Sequence, residues 1–312
     1  MRGDEEMTAQ HEEKVIVTAA LTGNQPAREG GPNVPITPAE IAEEAFNCYK
    51  AGASMVHVHA RDADTKLVTH DLRVYNDIFS RIKEKCNVVI QTTGTIGGSK
   101  IDPVTKEEVY FTEEQRISLR ISSLDVSPKP DAFPTPMGTM DLIGFDGRSI
   151  TVSNSVDFLR KIIPLVIEKK MAWEMEIWDT SYLYNALRLA EEGVFDRNMP
   201  IWFNYCMGHR NGLQDANPRH LVYMSEEGKR LFPHSIWELS ARGSNHFNMM
   251  ALAVALGCNI VRTGFEDHFN LPNGKMAKSN VELIESIVKI VRDLGREIAT
   301  VEEAREILSI TS

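Results

Sequence analysis

Eight alternations of a short apolar run with a helical stretch, in a chain of 312 residues, predict a (β/α)8 TIM barrel, an α/β fold whose usual size is about 250 residues. The competing open, doubly wound sheet carries a G-x-G-x-x-G turn after its first strand, and no such turn follows here. Neither a linker nor a strong internal repeat interrupts the alternation. The expected organisation is therefore a mobile tail over residues 1–13 and one barrel domain over residues 14–312.

Strand 1 is the run Val15-Ile16-Val17-Thr18-Ala19-Ala20, ended by Thr22-Gly23-Asn24. The Gly- and Pro-rich residues 26–35 read as a loop. Thr37-Pro38-Ala39-Glu40 then starts a helix, with Thr37 as N-cap, Pro38 at the first helical position and Glu40 completing a capping box. Strand 2 is Ser54-Met55-Val56-His57-Val58-His59-Ala60-Arg61-Asp62. A helix over 71–85 precedes strand 3 at 87–92, and Thr112-Glu113-Glu114-Gln115 caps a helix ending before Asp125. Strand 4, at 131–135, is the least regular because prolines break it, and a hairpin-like excursion follows around Asp146-Gly147. The pattern continues with helix 155–170, strand 5 at 172–177, helix 180–192 and strand 6 at 200–205. It closes with helix 218–231, strand 7 at 235–239, helix 245–256, strand 8 at 259–263 and helix 279–294. Thr300-Val301-Glu302-Glu303 caps a last short helix.

Composition narrows the function. Charged residues are 25% and hydrophobic residues 42%, as in soluble globular proteins. A formal charge of −10 argues against nucleic acid or an anionic membrane as the main partner. The four cysteines, Cys48, Cys86, Cys206 and Cys258, form no C-x-x-C pair and suit a reducing cytoplasm. Residues 1–13 are polar without an apolar core, so no signal peptide is expected, and no apolar run approaches the roughly 18–20 residues that span a bilayer. A cytoplasmic protein acting on small molecules is the expectation.

Side chains alternate across a strand, so His57, His59 and Arg61 share one face. Two imidazoles at i and i+2 near a strand end can reach one metal ion. Active sites of such barrels lie at the C-terminal strand ends, and there Thr92-Thr93-Gly94 ends strand 3, Asn204-Tyr205 ends strand 6 and Arg262-Thr263-Gly264-Phe265-Glu266-Asp267 ends strand 8. Only strand 1 separates strands 8 and 2 in a closed barrel, so Glu266 is the preferred third ligand. Two imidazoles, one carboxylate and open positions make a catalytic arrangement that suits zinc (Zn2+) and also Fe(II). Asp267 beside the ligand, with Arg262 near it, can act as a base with an orienting cation. Thr92, Thr93 and Gly94, continuing to Gly98, offer hydroxyls and backbone N–H groups to a carboxylate or phosphate, but the order is not that of a Walker A loop. For Glu174 and Glu176 on strand 5, pairing with a barrel arginine such as Arg61 is expected rather than ligation.

Several of these stretches carry a resemblance. Thr18-Ala19-Ala20-Leu21-Thr22-Gly23, Pro32-Asn33-Val34-Pro35-Ile36-Thr37-Pro38, and Ala51-Gly52-Ala53 leading into His57-Val58-His59-Ala60-Arg61 resemble the β-keto acid cleavage enzymes, in particular the branch acting on 3-keto-5-aminohexanoate. The strand 8 run through Asp267, Ala277-Lys278-Ser279-Asn280 and the terminal Ala304-Arg305-Glu306-Ile307-Leu308 match as well, so the likeness extends from about Lys14 onward. It implies a zinc-dependent barrel, usually a homotetramer, that condenses a β-keto acid with acetyl-CoA and yields acetoacetate and a new acyl-CoA. It further implies that His57, His59 and Glu266 hold the metal, that Asp267 with Arg262 promotes enolate formation, and that Thr92 and its neighbours bind the substrate carboxylate.

Three departures bear on the substrate. Where the 3-keto-5-aminohexanoate enzyme has a glutamate meeting the substrate ammonium, this chain has Gln25, or Asn24 if the loop shifts. Thr135-Pro136-Met137 replaces a Leu-Asn-like run, and Met207-Gly208-His209-Arg210-Asn211-Gly212 replaces Pro-Gly-Gly. Two other classes compete: a metal-dependent hydrolase of the amidohydrolase type, whose H-x-H normally follows strand 1 rather than strand 2, and a non-catalytic metal- or ligand-binding barrel, which needs no base.

Overall fold

The computed structural model describes residues 14–23, 33–94, 99–101, 108–143, 149–208 and 214–310. Eight parallel strands carry the fold: β1 (Lys14–Ala20), β2 (Met55–His57), β3 (Val89–Gln91), β4 (Ala132–Pro136), β5 (Ala172–Ile177), β6 (Trp202–Met207), β7 (Ile236–Ala241) and β8 (Ile260–Thr263). Each pairs with its sequence neighbour, and β8 returns to β1 with Ile16 opposite Ile260 and Thr18 opposite Arg262. The sheet is thus a closed (β/α)8 barrel. The helices between strands are α1 (Pro38–Lys50), α2 (Leu72–Lys85), α3 (Glu113–Ser122), α4 (Val156–Glu168), α5 (Thr180–Glu191), α6 (Pro218–Leu231), α7 (His246–Ala255) and α8 (Asn280–Asp293), and α9 (Val301–Ile307) ends the chain.

The helix starts follow local chemistry. Thr37, Thr112 and Thr300 each accept the backbone N–H three residues on, and Glu40, Gln115 and Glu303 reach back to the cap. Each such cap contributes about 1 kcal/mol. Outward-facing strand residues such as Val17, Val56, Ile90, Met175, Leu239 and Val261 are fully buried against the helices.

β4 tolerates Pro134 and Pro136 for a directional reason. Met137 donates its N–H to Glu176 of β5 (3.1 Å), and alternation turns the N–H positions of even-numbered residues to the β3 side. There the pairing is reduced to Gln91 opposite Ala132, so the missing proline donors leave little unpaired. Two antiparallel hairpins extend the loops after β3 and β4, Ser99–Ile101 with Glu108–Tyr110 and Met140–Ile143 with Ser149–Val152. The second matches the expected excursion, although its turn at residues 144–148 lies outside the described residues, as does the tail at residues 1–13. The first hairpin was not expected, and neither was the two-residue strand Glu297–Ile298 beside the start of β1.

The barrel interior changes character along its axis. At the N-terminal end Ile16, Met55, Val89, Ala132, Trp202 and Ile260 pack together, closed from below by Val301, Ala304 and Leu308. Two residues further along seven strands, on the same face, stand Thr18, His57, Gln91, Glu174, Asn204, Glu238 and Arg262, all buried. A barrel centre is ordinarily filled by branched apolar side chains. Here that layer is polar, directly beneath the C-terminal mouth. Among the described residues no helix is long and apolar enough to cross a membrane.

Candidate metal centre

His57 is the last residue of β2, and the strand stops there rather than running on through Arg61 as the alternation suggested. His59 is instead held by Thr22 from the end of β1, whose hydroxyl donates to the His59 carbonyl (2.8 Å) and accepts from its N–H (3.2 Å). Arg61 is buried and donates to the carbonyls of Thr22 and Gly23 (2.9 Å each) and Lys66 (2.8 Å), bracing the same chain segment.

The third group arrives from the opposite side of β1. Gly264, just past β8, has φ +150°, and a Cβ there would lie 2.2 Å from the Ala20 carbonyl oxygen, so only glycine lets the chain turn this closely over β1. Glu266 then donates its N–H to Ala20 (3.2 Å), while Asn280 accepts from Phe265 N–H (2.7 Å). The turn brings Glu266 Oε2 to 3.3 Å from His57 Nε2 and 3.5 Å from His59 Nε2. One ligand atom from each of His57, His59 and Glu266 lies within 4.8 Å of the other two. Ligand atoms about 2.1 Å from a tetrahedral ion stand about 3.4 Å apart, so the set fits a metal ion.

The electrostatics agree. Burial lowers the His57 pKa to about 3, with Arg262 and His59 adding to the effect against Glu266, so the ring is neutral at ordinary pH. Its Nδ1 lies 2.7 Å from Gln91 Oε1; with that oxygen accepting, the proton sits on Nδ1 and the Nε2 lone pair faces Glu266. Burial alone would raise the Glu266 carboxyl, but Arg262 and both histidines hold it well below the usual carboxylate range.

Arg262 joins this triad to Asp267. Its Nη2 is 2.5 Å from Glu266 Oε1, and its Nε and Nη2 bond the two Asp267 oxygens at 2.8 and 3.1 Å. Arg242, at the end of β7, lies above both acids, 3.5 Å from Glu266 and 3.6 Å from Asp267. On the β3 side Thr92, Thr93 and Gly94 are buried. Thr92 N–H donates to Ala132 (3.2 Å), so its hydroxyl rather than its amide is left for a ligand. A Cβ on Gly94 would meet the Pro134 carbonyl oxygen at 1.8 Å, and Arg120 Nε fixes the Gly94 carbonyl (2.8 Å). Gln25, Asn24 and residues 95–98 lie outside the described residues, as do residues 209–213 of the loop after β6.

Residues 14–310 match the family model described as beta-keto acid cleavage enzyme. The chain belongs to the β-keto acid cleavage enzyme family. It is similar to the 3-keto-5-aminohexanoate cleavage enzyme of Fusobacterium nucleatum, 35% identical over 300 residues that cover 96% of this chain and 98% of the relative. It is also similar to the 3,5-dioxohexanoate:acetyl-CoA acetone transferase of Paraburkholderia graminis, 29% identical over 308 residues, 95% of this chain and 96% of the relative. Among solved structures, the ternary complex of ObcA with C4-CoA adduct and oxalate shares the fold at a TM-score of 0.72 and 19% identity, covering 88% of this chain and 67% of that one.

In this β-keto acid cleavage enzyme family member, sequence reasoning assembled the His57, His59, Glu266, Asp267 and Arg262 cluster and missed what surrounds it. Glu174 does not follow the expected arginine pairing: it accepts from Asn204 Nδ2 (2.6 Å) and from Gln91 Nε2. Glu176 accepts from Trp178 Nε1 (2.9 Å). Arg242 escaped notice because β7 runs to Ala241, two residues past its expected end, so a polar strand-end position was read as loop. Gln91 carried a usable signal, since it lies two residues beyond Val89 on the face that His57 shares.

Proposed function

We propose that this protein is a zinc-dependent β-keto acid cleavage enzyme that converts a β-keto acid and acetyl-CoA into acetoacetate and a new acyl-CoA. The observation that carries the reading is the contiguity of the His57–His59–Glu266 set with the Arg262–Asp267 pair at the C-terminal mouth of the barrel. When bound, zinc supplies a Lewis acid for the β-keto carbonyl.

The chain's own groups do the rest. Asp267, held by Arg262, accepts a proton from the carbon between the two substrate carbonyls and later returns it. That carbon forms a bond to the acetyl carbonyl carbon of acetyl-CoA, and the acetyl C–S bond breaks to release the CoA thiolate. The thiolate adds to the original keto carbonyl, whose bond to that carbon then breaks, so the acyl group ends on the CoA sulfur and the returned proton completes acetoacetate. The hydroxyls of Thr92 and Thr93, with Gly94, receive the substrate carboxylate, and Gln25, standing in sequence where the 3-keto-5-aminohexanoate enzyme has a glutamate, is assigned to the choice of its distal end. Arg262 and Arg242 place positive charge where enolate and carboxylate charge gather. A homotetramer in the cytoplasm completes the reading, supported by the family likeness and by four cysteines that are all free.

The test is a panel of β-keto acids incubated with acetyl-CoA, following CoA esters and acetoacetate by mass. Matched acyl-CoA and acetoacetate formation supports the reading. Metal-replete protein that hydrolyses acetyl-CoA or leaves the whole panel unchanged contradicts it.

A further inference from the structure

The two histidines of the candidate metal centre are not held alike. His59 Nδ1 has no hydrogen-bond partner among the described residues. His57 Nδ1 bonds Gln91 Oε1 at 2.7 Å, Gln91 Nε2 donates to Glu174 Oε2, and Asn204 Nδ2 donates to Glu174 Oε1 at 2.6 Å. The chain crosses the barrel interior from β2 through β3 to β5 and β6. His57, Gln91, Glu174 and Asn204 are all at least 98% buried, so water does not compete for these bonds.

The order of donors and acceptors in this chain has a consequence. A neutral imidazole carries one proton, and only the form protonated on Nδ1 presents the Nε2 lone pair to a metal. Gln91 can turn either its oxygen or its amide nitrogen toward His57, so its far end decides which. Burial, with Glu238 and Glu176, pushes the Glu174 carboxyl up, but an amide donor meets each of its oxygens, so Glu174 acts as an acceptor, draws the Gln91 amide nitrogen to itself and leaves the oxygen for His57. We infer that Glu174, acting through Gln91, is a positioning residue that sets His57 in its metal-binding tautomer. The inference rests on the metal reading above, but it concerns the apo protein too, where the tautomer is already chosen.

The experiment therefore begins without metal. Nitrogen-15 NMR of histidine-labelled apo protein at pH 7 is expected to show His57 protonated on Nδ1. Glu174→Gln, which keeps the shape and removes the acceptor bias, is expected to populate the Nε2-protonated form. Zinc competition against a chromogenic chelator is then expected to show about 10–100-fold weaker binding in Glu174→Gln, the usual effect of removing a residue that orients a ligand. The double exchange Gln91→Glu with Glu174→Gln keeps one carboxylate in the chain and places it on His57, so it is expected to recover affinity. A purely structural role would lower the melting temperature while leaving tautomer and affinity at wild-type values, and that result overturns the inference. Wild-type His57 protonated on Nε2 overturns it without any variant. If wild-type protein binds no zinc, the metal reading fails, and the apo tautomer still decides this one.

Discussion

Arg262 grips Asp267 through two parallel hydrogen bonds, Nε to Oδ2 at 2.8 Å and Nη2 to Oδ1 at 3.1 Å, and with the same Nη2 meets Glu266 Oε1 at 2.5 Å. One buried guanidinium thus orients both a candidate metal ligand and a candidate base. The forked geometry requires arginine, since a lysine ammonium cannot bond two oxygens in parallel.

Asp267→Asn tests the base directly. The substitution keeps size and a bond to Arg262 while removing the proton acceptor. Metal content is expected to hold while turnover falls by roughly 10²–10⁴-fold. Near-normal turnover would reduce Asp267 to scaffolding.

Arg262→Gln tests the grip. Removing the cation leaves two buried carboxylates beside each other with Arg242 only at 3.5 and 3.6 Å. The expected loss is about 3–5 kcal/mol of stability, read by denaturant unfolding, together with loss of turnover. A variant as stable as wild type would show that Arg242 or water already neutralises the pair.

How much of this was legible follows from where each signal sits. Strand 2 announced itself because Val56 and Val58 flank the histidines, and the three capping boxes lie in contiguous sequence. The layer formed by Gln91, Glu174, Asn204 and Glu238 did not, because it exists only when strands from four parts of the chain are set side by side at one height. β4 read as irregular for a good reason: its prolines are acceptable only because the β3 side of the strand is barely paired. The missing Arg242 shows how a strand end placed two residues early hides a site residue.

Glu238 makes the polar layer testable by pH. Burial pushes its carboxyl up to about 8, against the pull of Arg262. The folded state therefore holds a proton that the unfolded state, titrating near 4.3, has released. Between about pH 4.5 and 8 the native form binds more protons, so this group's contribution to stability falls as pH rises through that window and levels off above it. Glu238→Gln removes that dependence. The melting temperature of the variant relative to wild type is expected to increase from pH 5 to 8. A difference constant with pH would mean that Glu238 is ionised throughout.

Gln25→Glu probes substrate choice. A glutamate facing an ammonium makes a charge-assisted contact that a neutral amide lacks. If Gln25 reads the distal end of the substrate, as proposed, the wild type is expected to disfavour cationic 3-keto-5-aminohexanoate. The variant is expected to shift the ratio of kcat/KM values toward it. An unchanged ratio would remove Gln25 from the pocket.

The central claim is that His57, His59 and Glu266 hold zinc at the mouth of the barrel. Anomalous diffraction from zinc-replete crystals, collected on both sides of the zinc edge, tests it most directly. One strong peak is expected, bonded to His57 Nε2, His59 Nε2 and a Glu266 oxygen and absent from a His57→Ala/His59→Ala variant. A stoichiometric zinc peak elsewhere in the molecule, with these three side chains unligated, would contradict it.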